Sequence, residues 1–351
     1  YFDKNGVIWL KSGADKRRIH SKEELRRLFQ MTDQFHADEL PTKAGIAALD
    51  KLRFRDFLRD FYKREFPDDP AELTRLLQNM NLASEAGVLN LAGVLMFGER
   101  PEMIKPQFTV KAIRYPGNKI HATDYLDTED FVGPLRKIFD DALAFVMRNL
   151  HKLQAGRGVN APGLVEIPEI VFEELLVNAL VHRDYLVSAP IRLFIFDNRI
   201  EIISPGHLPN NLTVEKILAG ISNIRNPILV SFVAKGLLPY HGLGSGIKRA
   251  IDAWPRIDFV DDRDGCQFIA TVHRKPVEEL TLATGSPISS PISSPKTEDQ
   301  ILDLLQRDPS MTTAALGVTL SITKRAVLKQ IDKLKAHGRL RRVGPAKGGH
   351  W

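Results

Sequence analysis

A helix with almost no polar face dictates much of this chain's architecture. Glu169 to His182 reads EIVFEELLVNALVH. Ile170, Val171, Leu175, Leu176, Val177, Ala179, Leu180 and Val181 put apolar groups nearly all round it, and such a helix has to be covered on more than one side. Pro168, with its fixed φ, suits the first helical position. Yet Glu174, Asn178 and His182 recur at i, i+4 and i+8, one stripe on one face. Asn is a poor residue for a helix interior, and polar groups inside a packed layer need partners. Two readings stand on pattern alone: the stripe faces a ligand or cavity, or it is the exposed edge of an ordinary core helix.

The flanking segments supply layers to cover this helix. Ile191–Phe196 and Ile200–Ile203 read as paired strands with Asp197-Asn198 as the turn, and Gln267–Val272 as a closing strand. A glycine-rich segment, Gly242-Leu-Gly244-Ser245-Gly246, precedes a helix from Ile247. Such a loop turns backbone N–H groups and the helix dipole toward phosphate. Upstream, Val132–Leu150 reads as an amphipathic helix, Phe108–Arg114 as a strand, and Leu89–Phe97 as an apolar run. Residues 31–85 carry helical patterns such as Phe54, Phe57, Leu58 and Phe61. Near the start, Val7–Leu10 reads as a strand. Ser21 and Glu24 form a capping box before a short helix, Glu23–Phe29.

The order of these elements resembles the GHKL superfamily, which includes gyrase, histidine kinases and the MutL repair proteins. The resemblance rests on Glu174-Leu-Leu-Val-Asn178-Ala, then paired strands, a strand-end glycine and a Gly-rich loop before a helix. It implies that Glu174 orients or activates water as general base. It implies also that Asn178 holds Mg²⁺ against a triphosphate. The two leave one helix face a turn apart, as metal and γ-phosphate side by side require. The strand-end Asp-x-Gly that reads adenine in that group is matched here by Ser204-Pro205-Gly206, with serine in place of the aspartate; glycine at 206 lets the backbone approach a base closely. The implied cofactor is ATP, or another purine nucleotide, with Mg²⁺.

A closer resemblance is to a bacterial family labelled "ATP-dependent DNA helicase RecG-related" or transcriptional regulator, whose members commonly carry an N-terminal Schlafen/AlbA-type domain. It rests on Glu173–Tyr185, Ile203-Ser-Pro-Gly206, Arg225-Asn226-Pro227 and Gly244-Ser-Gly246. His182, Arg225 and Asn226 are motif residues placed with the nucleotide site by this resemblance. Arg183 and Asp184 belong to the same string, and their plain reading is an ion pair at a helix end. A helicase motor needs a Gly-x-x-x-x-Gly-Lys-Ser/Thr loop, and Gly242–Lys248 does not fit that spacing.

Charge separates the far end of the chain. The net charge is +6, but from Lys324 to Trp351 nine Lys or Arg face one acid, Asp332, so this segment carries +8 and the rest −2. That is the footprint of a polyanion binder. The 297–351 pattern reads as three helices and a wing. Ile301, Leu304 and Leu305 mark the first helix and Ala314, Ala315 and Leu316 the second. A third, capped by Ser321, carries Val327, Ile331 and Leu334 inward. Arg325, Lys329 and Lys333 lie together on another face at i, i+4 and i+8, Lys324 joins them in the expected DNA-binding set, and Arg341, Arg342 and Lys347 lie in the wing. This resembles winged helix-turn-helix domains, which read double-stranded DNA with the third helix and touch backbone with the wing; a winged helix used for protein contacts is the alternative. Residues 276–296, including Ser286–Pro295 (SPISSPISSP), read as an extended linker.

The expected protein is therefore α+β and multidomain: a GHKL (Bergerat)-like α/β sandwich with a C-terminal winged helix-turn-helix. Residues 1–30 are expected to be the end of a Schlafen/AlbA-type domain, 31–164 a connecting region packed on the sandwich, and 165–275 the nucleotide-binding domain. The lone Cys266 excludes an intrachain disulfide and a cysteine metal cluster. No apolar run reaches the ~20 residues of a membrane helix. These features point to a cytoplasmic, homo-oligomeric regulator whose DNA contacts respond to nucleotide. A slow ATPase acting on DNA or a partner, and a nucleotide-free oligomerisation scaffold, are the other readings.

Overall fold

The computed structural model describes residues 7–12, 15–19, 21, 24–25, 28–29, 35–120, 123–153, 164–210, 212–239, 245–276, 297–309, 311–320, 324–336 and 339–341. The chain divides into two compact units, 1–287 and 288–351, and the division falls within the expected linker.

Unit one opens with a hairpin, β1 (Trp9–Ser12) and β2 (Asp15–Arg18). The Ser21 hydroxyl accepts the Glu24 N–H at 3.0 Å, one half of the expected capping box. Strand β3 (Pro41–Gly45) lies within the stretch read as helical. It is followed by α1 (Lys51–Phe57), which runs into a π turn at Leu58–Tyr62, and by α2 (Pro70–Asn79). Both helices start on aspartate caps, Asp50 and Asp69, whose side chains accept first-turn N–H groups. β4 (Val88–Asn90) pairs with β3, and Asn90 caps the wholly buried α3 (Leu91–Phe97). A short α4 (Pro101–Ile104) closes this region.

The main sheet then begins with β5 (Val110–Arg114) and β6 (Asp127–Phe131), followed by α5 (Leu135–Asn149) and a small hairpin, β7 (Lys152–Leu153) and β8 (Leu164–Val165). Next come α6 (Glu169–His182), β9 (Ile191–Ile195), β10 (Arg199–Pro205), α7 (Val214–Leu218) and α8 (Pro227–Phe232). The unit finishes with α9 (Gly246–Ala253), β11 (Ile257–Asp262) and β12 (Gln267–His273). The strand order is β11-β12-β10-β9-β5-β6, with β5 and β9 parallel and the other pairs antiparallel.

Two expectations are corrected here. Residues 31–164 are not a region packed on a separate sandwich. β5 continues the sheet by pairing in parallel with β9, and α5 shares the helix layer with α6. Pro168 stands at the N-cap, with Glu169 the first helical residue.

Helices α5 and α6 pack on one face of the sheet, and α9 packs against α6. Val171, Phe172, Leu175, Leu176, Val177 and Val181 of α6 are all buried, each contributing about 1.5–3 kcal/mol relative to exposure. Layers on several sides are what its all-round apolar surface demanded. On the opposite face Tyr115, Phe194, Phe196 and Ile203 form a smaller cluster, and the Arg199 guanidinium lies 4.0 Å over the Phe196 ring.

Unit two packs α10 (Thr297–Arg307), α11 (Thr313–Thr319) and α12 (Lys324–Ala336) on a core of Ile301, Leu305, Leu316, Val327, Ile331 and Leu334. Ser321 and residues 342–351 of the expected wing lie outside the described residues. Among the described residues, no helix is long and apolar enough to cross a membrane.

Candidate functional site

A cleft of about 970 Å³, counting its open mouth, lies between α6, the sheet and the segment that follows β10. Leu175 and Ala179 of α6, Ile202 of β10, Phe259 of β11 and Phe268 and Ala270 of β12 supply apolar wall. Residues 206–209, 221–223 and 225, with Leu212 and Ile217, form the other side, and Gly246, Ile247 and Arg249 of α9 close one end.

The polar stripe of α6 sits at this cleft. Asn178 and His182 line it. Asn178 Nδ2 donates to the Glu174 carbonyl at 2.7 Å, which commits the amide nitrogen and leaves Oδ1 as the atom for a ligand. Burial, and next the Arg225 guanidinium, hold the His182 pKa down at about 4, so its ring is neutral near pH 7. Glu174 is deeper, 1% exposed, and its Oε1 pairs with Arg249 Nη2 at 2.5 Å. Gly246 rests on the same carboxylate: a Cβ there would stand 2.3 Å from Glu174 Oε2 and 3.4 Å from Asn178 Nδ2. The carboxylate read as a general base is thus an ion-pair partner of α9.

Ser204 also lines the cleft, but its hydroxyl donates to the Ala179 carbonyl at 3.2 Å. Gly206 has φ +99°, and a Cβ would meet Asp184 Cβ at 2.4 Å and Arg225 Nη1 at 2.6 Å. Its close approach is therefore to its own chain, where Asp184 N–H donates to the Pro205 carbonyl at 2.8 Å. Gly242 and Gly244 lie outside the described residues. Ser245 forms the N-cap of α9 without a side-chain cap bond.

The remaining motif residues brace the site. Arg225 lines the cleft but donates through Nη1 to the His182 carbonyl at 3.2 Å and through Nη2 to the His207 carbonyl at 2.6 Å. Asn226, expected with the nucleotide site, is wholly buried away from the lining. Its Nδ2 closes the end of α6 by donating to the Val181 and Arg183 carbonyls at 2.8 and 3.0 Å. Arg183 does not form the ion pair with Asp184. Its guanidinium lies between the Phe108 and Tyr185 rings, 4.7 and 4.9 Å from their centroids, and donates to the Ala189 carbonyl. Asp184 accepts from Leu186 N–H at 2.9 Å instead. Behind these, Asp38 accepts the Leu229 N–H at the start of α8 at 3.0 Å, and burial pushes its pKa up to about 6.

Sequence reading missed Arg249. The available signal was its place one turn into the helix that follows the glycine-rich loop, beside an unmatched acid on α6. In unit two, Lys329 and Lys333 are exposed on α12 and Arg341 is exposed beyond it. Lys324 and Arg325 lie in the first turn of α12; Arg342 and Lys347 are outside the described residues.

A family model described as "Putative ATP-dependent DNA helicase recG C-terminal", a GHKL-type ATPase domain, matches residues 188–262, roughly a fifth of the chain. That match spans β9 through β11 and begins after Glu174 and Asn178. No curated protein matches. Among solved structures, the DIP2311 protein of Corynebacterium diphtheriae is similar at a TM-score of 0.50 and 20% identity, over 99% of this chain and 70% of that one. This likeness extends the fold resemblance across both units and carries no assignment of activity.

Proposed function

We propose that unit one is a nucleotide-binding module that adjusts the DNA contacts of unit two, in a cytoplasmic regulator. The observation that carries the reading is the juxtaposition, at one cleft, of Asn178, Gly206 and the first turn of α9 on an ATPase-type fold. The residues fit Mg²⁺–nucleotide as follows. The Asn178 amide oxygen is a ligand type suited to Mg²⁺, and among the described residues no cluster of three His, Cys, Asp or Glu offers a metal cage. The ion would therefore share its shell with phosphate oxygens, whose charge it would neutralise. The α9 N-terminus and Arg249 suit phosphate, and Ile202, Phe259, Phe268 and Ala270 suit a flat base.

Two features favour binding over rapid turnover. Ser204 spends its proton on α6 and offers no negative charge to an amino group. The Glu174 carboxylate is engaged by Arg249, which takes it away from the role of positioning an attacking water. Titrating MgATP into the full chain by calorimetry tests the reading. Binding by the wild type that weakens in Asn178→Ala is expected; no binding heat at millimolar MgATP would refute it. For unit two, the support is the exposed Lys329 and Lys333 on α12 and the +8 charge of residues 324–351. Duplex DNA affinity should fall steeply with salt, by a log–log slope of about −0.9 per phosphate neutralised.

A further inference from the structure

Arg249 lines the cleft while reaching into the protein to pair with Glu174. Glu174 is 1% exposed and Arg249 34%, so the pair runs from the buried face of α6 to the cleft wall. Gly246, one turn earlier, rests on the other oxygen of the same carboxylate. Two contacts thus dock the first turn of α9 on Glu174. The cleft's other basic side chains among the described residues are engaged or neutral, and His207 Nδ1 lies 2.8 Å from the Leu208 carbonyl. Both Nη atoms of Arg225 donate to backbone carbonyls, and the His182 ring is uncharged. Arg249, by contrast, keeps a buried Nε with no hydrogen-bond partner among the described residues. Its guanidinium has donor capacity that one carboxylate oxygen does not use.

We propose that Arg249 is the phosphate-recognising residue of the cleft, and that a ligand's phosphate competes with Glu174 for it. A phosphate offers the fork-like guanidinium a bidentate partner. Taking it draws Arg249 off the carboxylate and loosens the first turn of α9 from α6. α9 itself lines the cleft through Gly246, Ile247 and Arg249, so occupancy acts directly on this helix. The inference deepens the nucleotide reading and rests on it.

The test compares MgATP and adenosine, titrated by calorimetry into full-length wild type, Arg249→Gln, Arg249→Lys and Glu174→Gln. Hydrogen exchange over residues 246–253 is followed in parallel. Arg249→Gln should weaken MgATP about tenfold or more, the scale of a charge-assisted bond, and leave adenosine within about twofold. Arg249→Lys should recover part of the loss. Glu174→Gln, which removes the competitor, should tighten MgATP several-fold; this arm stands even where Arg249→Gln fails to fold. MgATP, but not adenosine, should speed exchange in α9. Equal losses for MgATP and adenosine in Arg249→Gln would mean a structural role and overturn the proposal. So would unchanged or slower α9 exchange on MgATP binding, or MgATP binding by Glu174→Gln no tighter than by wild type. A wild type that binds MgATP no better than adenosine overturns this inference alone. One that binds neither overturns the nucleotide reading, and this inference with it.

Discussion

Adding one methyl group at Gly246 should cost stability even though it improves a helix. Alanine is favoured over glycine inside a helix by about 0.5–1 kcal/mol, and less at a first helical position. Against this, the new Cβ would stand 2.3 Å from Glu174 Oε2. That oxygen is not the loose end of a surface side chain. The carboxylate is 1% exposed and pinned by Arg249 at 2.5 Å. Either α9 lifts or the ion pair breaks, and overpacking of this kind costs about 1–3 kcal/mol. The net expectation is a loss of about 1–2 kcal/mol, seen by scanning calorimetry as a melting point lower by about 2–4 °C. Gly45→Ala is the control: its Cβ would meet only the Gly87 carbonyl, at 3.9 Å, so the melting point should hold or rise slightly. Coupling to Glu174 is tested by Gly246→Ala with Glu174→Ala, whose combined loss should be smaller than the sum of the two. A Gly246→Ala protein that melts at or above wild type would refute the docking of α9 on the carboxylate.

Two desolvated groups give opposing pH dependences that single variants should separate. Burial raises Asp38 from 3.8 to about 6, so the folded state holds its proton more tightly and stability from this group falls as pH rises from about 4 to 6. At about 1.4 kcal/mol per unit the loss is at most about 3 kcal/mol; Asp38→Asn should lack it, and parallel stability–pH curves would count against the assignment. His182 is lowered from 6.5 to about 4, so its contribution is complete above 6.5 and lost as pH falls toward 4, by about 3 kcal/mol at most. His182→Gln should flatten that limb in urea titrations at stepped pH. Arg183→Lys should destabilise by about 1–2 kcal/mol, because an ammonium cannot replace a planar group between the Phe108 and Tyr185 rings; an unchanged urea midpoint would show that the stacking contributes nothing. Lys329→Ala with Lys333→Ala should weaken duplex DNA binding by the full chain for all sequences alike and flatten its salt slope; an unchanged slope would put those lysines outside the contact.

The features legible along the chain are local. Helix α6 was legible to the residue because its apolar period and polar stripe repeat within a few turns. The β9–β10 pair was legible because Asp197-Asn198 is turn chemistry between apolar runs, and the core of unit two because Val327, Ile331 and Leu334 mark one face of α12. Edge strands were not legible. β6, Asp127-Thr-Glu-Asp-Phe131, and β11, Ile257-Asp-Phe-Val-Asp-Asp262, are rich in charges. A strand at a sheet margin can turn acids to solvent and so lose the apolar signature of a strand. Tertiary structure alone decided that β5 and β6 extend the sheet, since a parallel pair needs partners brought from far apart in the chain. It also decided how the motif residues divide their work. Chemical type marks a candidate residue, but type does not say which atoms are already spent. Ser204 is spent on the Ala179 carbonyl, Asn226 on the end of α6 and Glu174 on Arg249. Hydrogen bonds and ion pairs are settled by distances across a packed interior, and no spacing along the chain encodes those distances.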